Sequence, residues 1–406
     1  MMKNPKENSG LVFFLGEAMV RDKDYYHYWS PSAAFLKKAF AREDTVFLSP
    51  VSPVEKPRET SSSQIHSSEV IPLPFYSSNK QFLLNFLFNP FFGVRFCCAT
   101  LKAAKEFRSR IFWVRGPSLG SLIFANLILI LGNRVCLHLC ADFRSSWRSQ
   151  GLSFWGRSTR RLGALLVHFL IQRIVRSSAT LTVFVTGTSL YGYVDNIKHG
   201  KAKYLVDVLG PDKPFDDRME EDNRKRPFQV LFVGRIREDK GIFDLIGAAK
   251  ILRSMMELRI VGEGEDTERL ARAIQRAGLG TAVELLGQKS SAEIFSIMKD
   301  SDVLVVPSKN KYEGFPRVIY EAWMSGIPVI TSNLPGIIGV VENNKNGQIL
   351  DDISEHSLAK CLAFLIKKPD HFNALKSGAI EMGGRYGEKY WINNVHDALK
   401  SYEESR

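Results

Sequence analysis

The 406-residue chain lacks the features that would make it disulfide-stapled, zinc-bound or membrane-spanning. Its five cysteines (Cys97, Cys98, Cys136, Cys140, Cys361) form neither an even framework nor a C-x-x-C or Cys/His cluster. They read as buried thiols of a reducing compartment, with no structural zinc. Long apolar runs are missing too. Leu119 to Leu131 is short and interrupted by Asn126, and Leu162 to Val185 is broken by Arg173 and Arg176, so no transmembrane helix is expected. The opening MMKNPKENSG is polar and precedes a strand pattern, which argues against a secretory signal and for a cytoplasmic protein. No period suggests a solenoid.

Acidic residues are scarce in the first half. Residues 1–206 hold 27 Lys and Arg against 12 Asp and Glu, a net of +15, whereas the remainder holds 28 against 31, a net of −3. A one-sided field favours anionic partners such as phospholipid head groups, phosphorylated acceptors or nucleic acid. A basic surface that serves solubility is the plainer alternative. Helix-turn-helix, RNP and zinc-finger motifs are absent, so no nucleic-acid partner is expected.

What is present is an α/β pattern. Hydrophobic content of 45% and charged content of 24% suit a globular protein, and 406 residues suit two domains. LVFFLGEAM reads as a strand ending in a Gly-containing loop, SPSAAFLKKAFARED as a helix and TVFLSPV as a second strand. Glu55 to Ser68 is polar and Ser-rich and reads as a loop. IFWVRG, an apolar helix from Ser118 and NRVCLHL repeat the strand–helix–strand order, and TLTVFVTGTS adds another strand. Around Val206 to Pro227 the composition turns to Pro and charge, as a linker does. A cleaner series follows: FQVLFVGRI, LRIVGEG, AVELLGQ, DVLVVPS and IPVITS as strands alternating with helices. Such a series makes a parallel sheet covered on both faces.

Ligands of open parallel sheets bind beyond the carboxyl ends of the strands. Three motifs fall there. In GRIREDKG, Gly234 admits close backbone approach, and Arg235 and Lys240 suit one diphosphate; a solvated charged turn is the alternative. VGEGED puts Gly262 and Gly264 about Glu263 in a tight turn, which alone says little. PSKNKYEGFPRVIYEAWMSGIPVI sets Glu313 and Glu321 eight positions apart across a helix start. Gly314, Phe315 and Pro316 lie between them, with first-turn amides suited to an anion or sugar hydroxyls.

In that order, FVGRIREDKG, RIVGEGED, LLGQKSSAEIFSIMKDSDVLVVPS and EGFPRVIYEAWMSGIPVI resemble the retaining glycosyltransferases of family 4, or glycosyl transferases group 1. The resemblance covers about Phe228 to Asp351. It implies the GT-B fold, two Rossmann-like domains with parallel sheets facing across a cleft. It also implies Arg235 and Lys240 on the donor diphosphate, Glu313 on the transferred sugar and Glu321 on the ribose. The amides of Gly314 to Arg317 would hold sugar and phosphate, and Gln288 with Lys289 would lie near the base. The implied reaction is metal-independent transfer from a nucleotide sugar with retention, by front-face attack of an acceptor hydroxyl. No cofactor is implied, and no D-x-D-type metal site is picked out in the sequence.

The first half departs from the common pattern, since FLGEAMVRD offers only Gly16 where many members carry a Gly pair. Near the acceptor, LHLCADFRSSW offers His138 or Asp142. His138, between Leu137 and Leu139, reads equally as a structural histidine, and Asp142 at the strand end is the better candidate. FRSSWRSQGLSFWGRSTRRLGALLVHFLIQRIVR contains seven arginines and no acid, interleaved with Trp147, Phe154 and Trp155. It suits peripheral contact with an anionic membrane, as does FLLNFLFNPFFGVRF, although a core helix with a solvated arginine face fits equally. The expected organisation is an acceptor domain over 1–206, a linker over 207–227, a donor domain over 228–385 and a final helical segment, 386–406, packing back on the first domain. The acceptor is expected to be a carbohydrate or lipid-linked. An epimerase, a phosphorylase or a non-catalytic nucleotide-sugar binder on the same fold are the competing readings.

Overall fold

The first strand of the chain, β1 (Gly10–Phe14), is buried along its whole length, as an apolar GLVFF run in a two-sided parallel sheet must be. The structure is a computed structural model and describes residues 10–28, 30–41, 44–53, 63–144, 154–211, 226–310 and 314–404. Glu313, Trp147, Arg148 and most of the 207–227 linker lie outside these residues, as does most of the Ser-rich stretch after Glu55. The chain divides into two units, Met1–Asp207 with Ile392–Arg406, and Val208–Trp391.

The first unit continues with β2 (Met19–Asp22), β3 (Tyr25–Tyr28), α1 (Ser32–Ala39), β4 (Asp44–Ser52), β5 (Ser63–His66) and β6 (Val70–Leu73). After these come α2 (Asn79–Phe88), α3 (Pro90–Glu106), β7 (Ile111–Gly116), α4 (Leu119–Ile130) and β8 (Arg134–Leu139). The series closes with α5 (Phe154–Arg176), β9 (Thr180–Val185), α6 (Thr188–Ile197) and β10 (Ala202–Tyr204). The sheet runs β10-β9-β8-β7-β1-β4-β2-β3-β5, and β6 also pairs with β4. The pairings from β10 to β4 are parallel, whereas β2–β3 and β3–β5 are antiparallel. Two expectations are corrected here. Ser63–His66, assigned to a loop because it is polar, is an edge strand held by main-chain pairing to β3. Of the cysteines, only Cys136 is buried; Cys98 is exposed and the other three are half-buried.

Helices α2 and α3 meet at an angle of 104°. Asn89 is extended (φ −116°, ψ 93°), ends α2, and caps α3 by accepting the Phe92 N–H at 3.1 Å. Pro90 then begins α3, where its missing N–H is no loss, while it keeps Asn89 out of the helical region. Together the two helices have the length and composition of a broken span, and among the described residues no single helix is long and apolar enough to cross a membrane. Phe82, Phe92 and Phe96 seal the inner side of the elbow by edge-on contacts with centroids 5.3–5.8 Å apart.

The second unit alternates strand and helix as far as β15: β11 (Phe228–Val233), α7 (Ile242–Ile251), β12 (Met256–Val261), α8 (Thr267–Arg276), β13 (Val283–Gly287) and α9 (Ser291–Lys299). Then come β14 (Val303–Val306), α10 (Val318–Met324), β15 (Val329–Ser332), β16 (Gly347–Leu350), α11 (Glu355–Lys367) and α12 (Pro369–Arg385). The six strands form one parallel sheet, ordered β13-β12-β11-β14-β15-β16. The strand order reverses between β11 and β14, the place where such sheets open for ligands. Ser290 and Glu293 form the capping box that starts α9, and bonds from the Ser290 amide and hydroxyl hold the Glu293 carboxyl down at about 2. The last helix, α13 (Glu388–Glu404), is shared by the two units: Trp391 stacks edge-on against Tyr320 at 5.4 Å in the second, and in the first His396 Nε2 lies 2.8 Å from the Ala39 carbonyl.

Helix α12 fits against α10 through glycine. A Cβ on Gly383 would lie 2.1 Å from the Trp323 carbonyl oxygen, whereas one on Gly384 would meet nothing within 4 Å. Gly383→Ala should therefore destabilise the protein by about 1–3 kcal/mol through overpacking. Gly384→Ala, one position along, should stabilise it by about 0.5–1 kcal/mol through helix propensity. Urea melts of the two variants check this opposition of sign, and equal effects would refute the packing account.

Candidate functional site

At the carboxyl edge of the second sheet, adjacent loops are tied to one another by main-chain bonds. Gly234 N–H donates to the Val261 carbonyl and Ile236 N–H to that of Glu263, both at 3.0 Å, while Asp266 N–H donates back to Ile236 at 3.2 Å. Gly262 N–H reaches the Gly287 carbonyl at 2.8 Å, and Lys309 N–H reaches that of Asp239 at 2.8 Å. So tight a weave leaves no space for side chains. A Cβ on Gly262 (φ +135°) would sit 2.0 Å from the Gly234 oxygen, and one on Gly264 2.1 Å from that of Ile236. Gly241 (φ +69°) is as constrained, 2.0 Å from the Pro307 oxygen. The weak glycine signals of the sequence thus acquire a cause: they let the β11, β12 and β14 loops touch backbone to backbone.

This edge gathers Gly234, Arg235 and Lys240 with Gly262 and the loop that carries Gln288. Arg235 is exposed and forms no ion pair among the described residues. Its neighbours are matched: Lys309 Nζ with Asp244 at 2.7 Å, Arg237 with Asp239 at 2.7 Å and Arg269 with Glu238 at 2.6 Å. Lys240 is half-buried and ends the short turn Glu238–Lys240 that precedes Gly241. Asp239, which the sequence did not single out, ties the loops together, since its carboxylate also accepts from Asn310 Nδ2 at 3.3 Å. An acid amid cations in REDKG was the available signal.

The second glutamate loop follows β14. Glu313 lies outside the described residues, as do Lys311 and Tyr312. Gly314, Phe315 and Pro316 are buried, and a Cβ on Gly336 would meet the Gly314 oxygen at 2.3 Å. Phe315 packs on Tyr320 at 4.7 Å, and Trp323 Nε1 donates to the Asn346 carbonyl at 3.0 Å, so α10 is pinned at both ends. The Pro316 carbonyl takes the Ile319 N–H, and that of Arg317 takes those of Tyr320 and Glu321. Glu321 is half-buried on the first turn of α10.

In the first unit, Gly16 (φ +70°) turns the chain after β1 against the start of α4; a Cβ there would lie 2.3 Å from Ser121 Oγ. Next to it stands an ionic cluster that the sequence did not show. Arg115, at the end of β7, donates to Glu17 Oε1 at 2.6 Å and lies 3.5 Å from Asp207 Oδ2, which also accepts from the Ser32 hydroxyl. Burial opposes the charge of Arg115, but Cys140, Asp207 and Glu17 outweigh it and raise its pKa. The partners are 98 and 92 positions away in the chain, so no local pattern announces them.

His138 is buried in β8, with Nε2 3.3 Å from Thr186 Oγ1 and its ring edge-on to Trp113. Asp142 is buried and well satisfied: it accepts from Arg144 Nε at 2.8 Å, Arg144 N–H at 3.1 Å and Ser189 Oγ at 2.9 Å, and also pairs with Arg144 Nη2. Desolvation raises its pKa, but Arg144 and Ser189 prevail and hold it below the ordinary carboxylate value. Such a group is suited to positioning a loop, not to taking a proton.

Two Asp-x-Asp spellings passed unremarked in the sequence. Asp22–Asp24 forms the β2–β3 turn, with Lys23 at φ 49°. Asp302 is buried, accepting the Gln229 N–H at 2.7 Å and pairing with Arg226 at 3.3 Å. Among the described residues no three His, Cys, Asp or Glu side chains converge as a metal site.

With fold and site described, comparison with known proteins gives the class. Residues 215–382 match the family model described as glycosyl transferases group 1. Amylovoran biosynthesis glycosyltransferase AmsK of Erwinia amylovora is 31% identical over 144 residues, 34% of this chain and 35% of the relative. D-inositol 3-phosphate glycosyltransferase of Corynebacterium urealyticum is 29% identical over 251 residues, 57% of this chain and 58% of the relative. The matches thus span from about a third to somewhat over half the length of these relatives. Sucrose-phosphate synthase from Thermosynechococcus elongatus superposes with a TM-score of 0.72 at 17% identity, covering 98% of this chain and all (100%) of that one. Anabaena HepE in complex with UDP-glucose gives 0.68 at 16% identity, covering 96% and 99%. The fold is GT-B, and residues 215–382 match the domain of the group 1 glycosyl transferases.

The Asp142 clamp makes a pH-dependent prediction. Because its native pKa is depressed, its stabilisation is present above the ordinary carboxylate value of about 3.9 and is lost as pH falls through the native value. Asp142→Asn should cost about 2 kcal/mol near neutrality. Its melting-temperature deficit should shrink below about pH 4, and a deficit constant with pH would discard the clamp.

Proposed function

We propose that the protein transfers a sugar from a nucleoside diphosphate sugar to an acceptor hydroxyl with retention at the anomeric carbon, in the biosynthesis of a cell-surface polysaccharide or glycolipid. The observation that carries the proposal is the cationic loop at the switch point of the second sheet: exposed, unmatched Arg235, with Lys240 in the same loop, on a shelf fixed by main-chain bonds. The group 1 domain match over the same residues supports it, as do the biosynthetic glycosyltransferases among the relatives and the UDP-glucose complex of HepE.

In this reading Arg235 forks onto the donor diphosphate and Lys240 adds a point charge. As the bond from the anomeric carbon to the diphosphate oxygen lengthens, positive charge develops on the sugar and negative charge on the leaving phosphate. Cations already in place stabilise that phosphate without reorganising, so the reaction needs no metal ion. Gly234 and Gly262 let backbone approach the donor, and the N–H groups of Gly314, Phe315 and Arg317 serve its phosphate and sugar. Glu313 holds sugar hydroxyls, Glu321 the ribose, and the Gln288 loop the base. The acceptor, a carbohydrate or a lipid-linked sugar, attacks from the face the leaving group departs and passes its hydroxyl proton to the departing diphosphate oxygen; Gly16, His138 and Asp142 are the first unit's candidates for the acceptor. Asp142 then acts by fixing its loop through Arg144 and Ser189. The basic excess of the first half, +15 over residues 1–206, draws the protein to anionic lipid, and we place it at the cytoplasmic face of a membrane.

Thermal shift with a panel of nucleoside diphosphates and nucleotide sugars, in chelator, tests this reading. One nucleotide series should raise the melting temperature, and Arg235→Ala or Lys240→Ala should weaken its binding about ten- to a hundredfold. No shift with any nucleotide would remove the catalytic assignment.

A further inference from the structure

The first unit leaves apolar surface uncovered where α2 meets α3. Around the Asn89–Pro90 elbow, Leu87 is 63% exposed, Phe88 77%, Phe91 79% and Val94 61%. On α3 the exposed set Phe91, Val94, Cys98 and Leu101 recurs at helical spacing, opposite the buried Phe92, Phe96 and Thr100. The burial thus explains one face of the pair and leaves the other unexplained. Around it stand exposed Lys80, Arg95, Lys102 and Lys105, and from 79 to 106 the only acid is Glu106.

A second stripe lies on α5, where Leu162 is 71% and Phe169 55% exposed, with Leu165 and Leu166 between them. It too ends in cations. A groove lined by Phe169, Gln172, Arg173, Arg176 and Ser177 sits at its end, with two arginines in its lining. Both stripes belong to helices that pack on α4.

We propose that the α2–α3 elbow is a membrane wedge: Phe88 and Phe91 insert among the acyl chains of one leaflet, while Lys80, Arg95 and Lys102, with Arg173 and Arg176 of α5, hold anionic head-group phosphates. This rests on the reading that the first unit works at an anionic membrane, and it names how the contact is made. Charge complementarity selects the occupant. An apolar surface rimmed by cations matches the section of an anionic leaflet, hydrocarbon below and phosphate above. The bend decides the depth. The cap at Asn89 turns the pair back through 104°, so the helices enter the interface at the elbow without crossing the hydrocarbon.

The test is flotation of the full chain with vesicles of phosphatidylcholine, alone or mixed with phosphatidylglycerol. Wild type should float with the anionic vesicles only. Phe88→Ser/Phe91→Ser should lower the bound fraction about tenfold or more, and its circular-dichroism spectrum and melting profile should equal those of wild type, which shows that it is folded. In a second measurement, Phe91→Trp should add emission that moves to the blue when anionic vesicles are added. Undiminished flotation of the double serine variant, or added emission that stays put, overturns the wedge. If Arg173→Ala/Arg176→Ala alone abolishes flotation, the wedge falls while the electrostatic contact stands. If wild type does not float, both fall. A wild-type dimer that the serine variant converts to monomer, without flotation, makes the face a self-association surface and also overturns the proposal. None of these outcomes bears on the donor site, which the nucleotide shift reads separately.

Discussion

Main-chain contact between neighbouring loops is the constraint on which the second unit depends. A parallel sheet supplies strand ends about one strand spacing apart, and loops that leave such ends normally diverge. Here they do not. Gly262, Gly264 and Gly241 let the β11, β12 and β14 loops lie in van der Waals contact, where backbone amides and carbonyls bond across them. Unpaired buried main-chain groups are costly, so each of these bonds also removes a penalty. The consequence is a rigid floor at the switch point of the sheet, and the exposed guanidinium of Arg235 stands on it with no ion pair among the described residues.

The first unit is built on a different principle. Its strand ends carry buried polar groups linked by side chains, chiefly Arg115 between Glu17 and Asp207, and Asp142 between Arg144 and Ser189. Breaking a buried ion pair leaves an uncompensated charge and costs more than the pair contributes. These clusters therefore hold loops in single conformations. They also explain why His138, with Thr186 and Trp113 about it, belongs to the interior.

How much of this the amino-acid order disclosed depends on the range of the interaction. The second unit was legible because its signals are local: apolar runs of strand length, helical spacing, and glycines immediately after strands. The glycines at 262 and 264 were visible but weak, since their reason is a contact with residues 234 and 236. The first unit hid more. The β2–β3 hairpin and β5 are polar, and Ser63–His66 is a strand only because β3 offers it a partner. Ser32 meets Asp207 across 175 positions, a distance that no periodicity encodes. The elbow was half legible: Asn-Pro announces a break, but which face of the two helices is left bare is known only once α4 has covered the other.

A floor held by main-chain atoms has an evolutionary meaning. Every residue but proline has the same backbone donor and acceptor, so the bonds between residues 234 and 261 or 236 and 263 survive a change of side chain, other than to proline, at any position that is not one of the glycines. Side chains that face a ligand from these loops are thus released from the task of holding the loops up. They can be exchanged with little loss of stability, and selection for a different ligand meets a scaffold that does not resist.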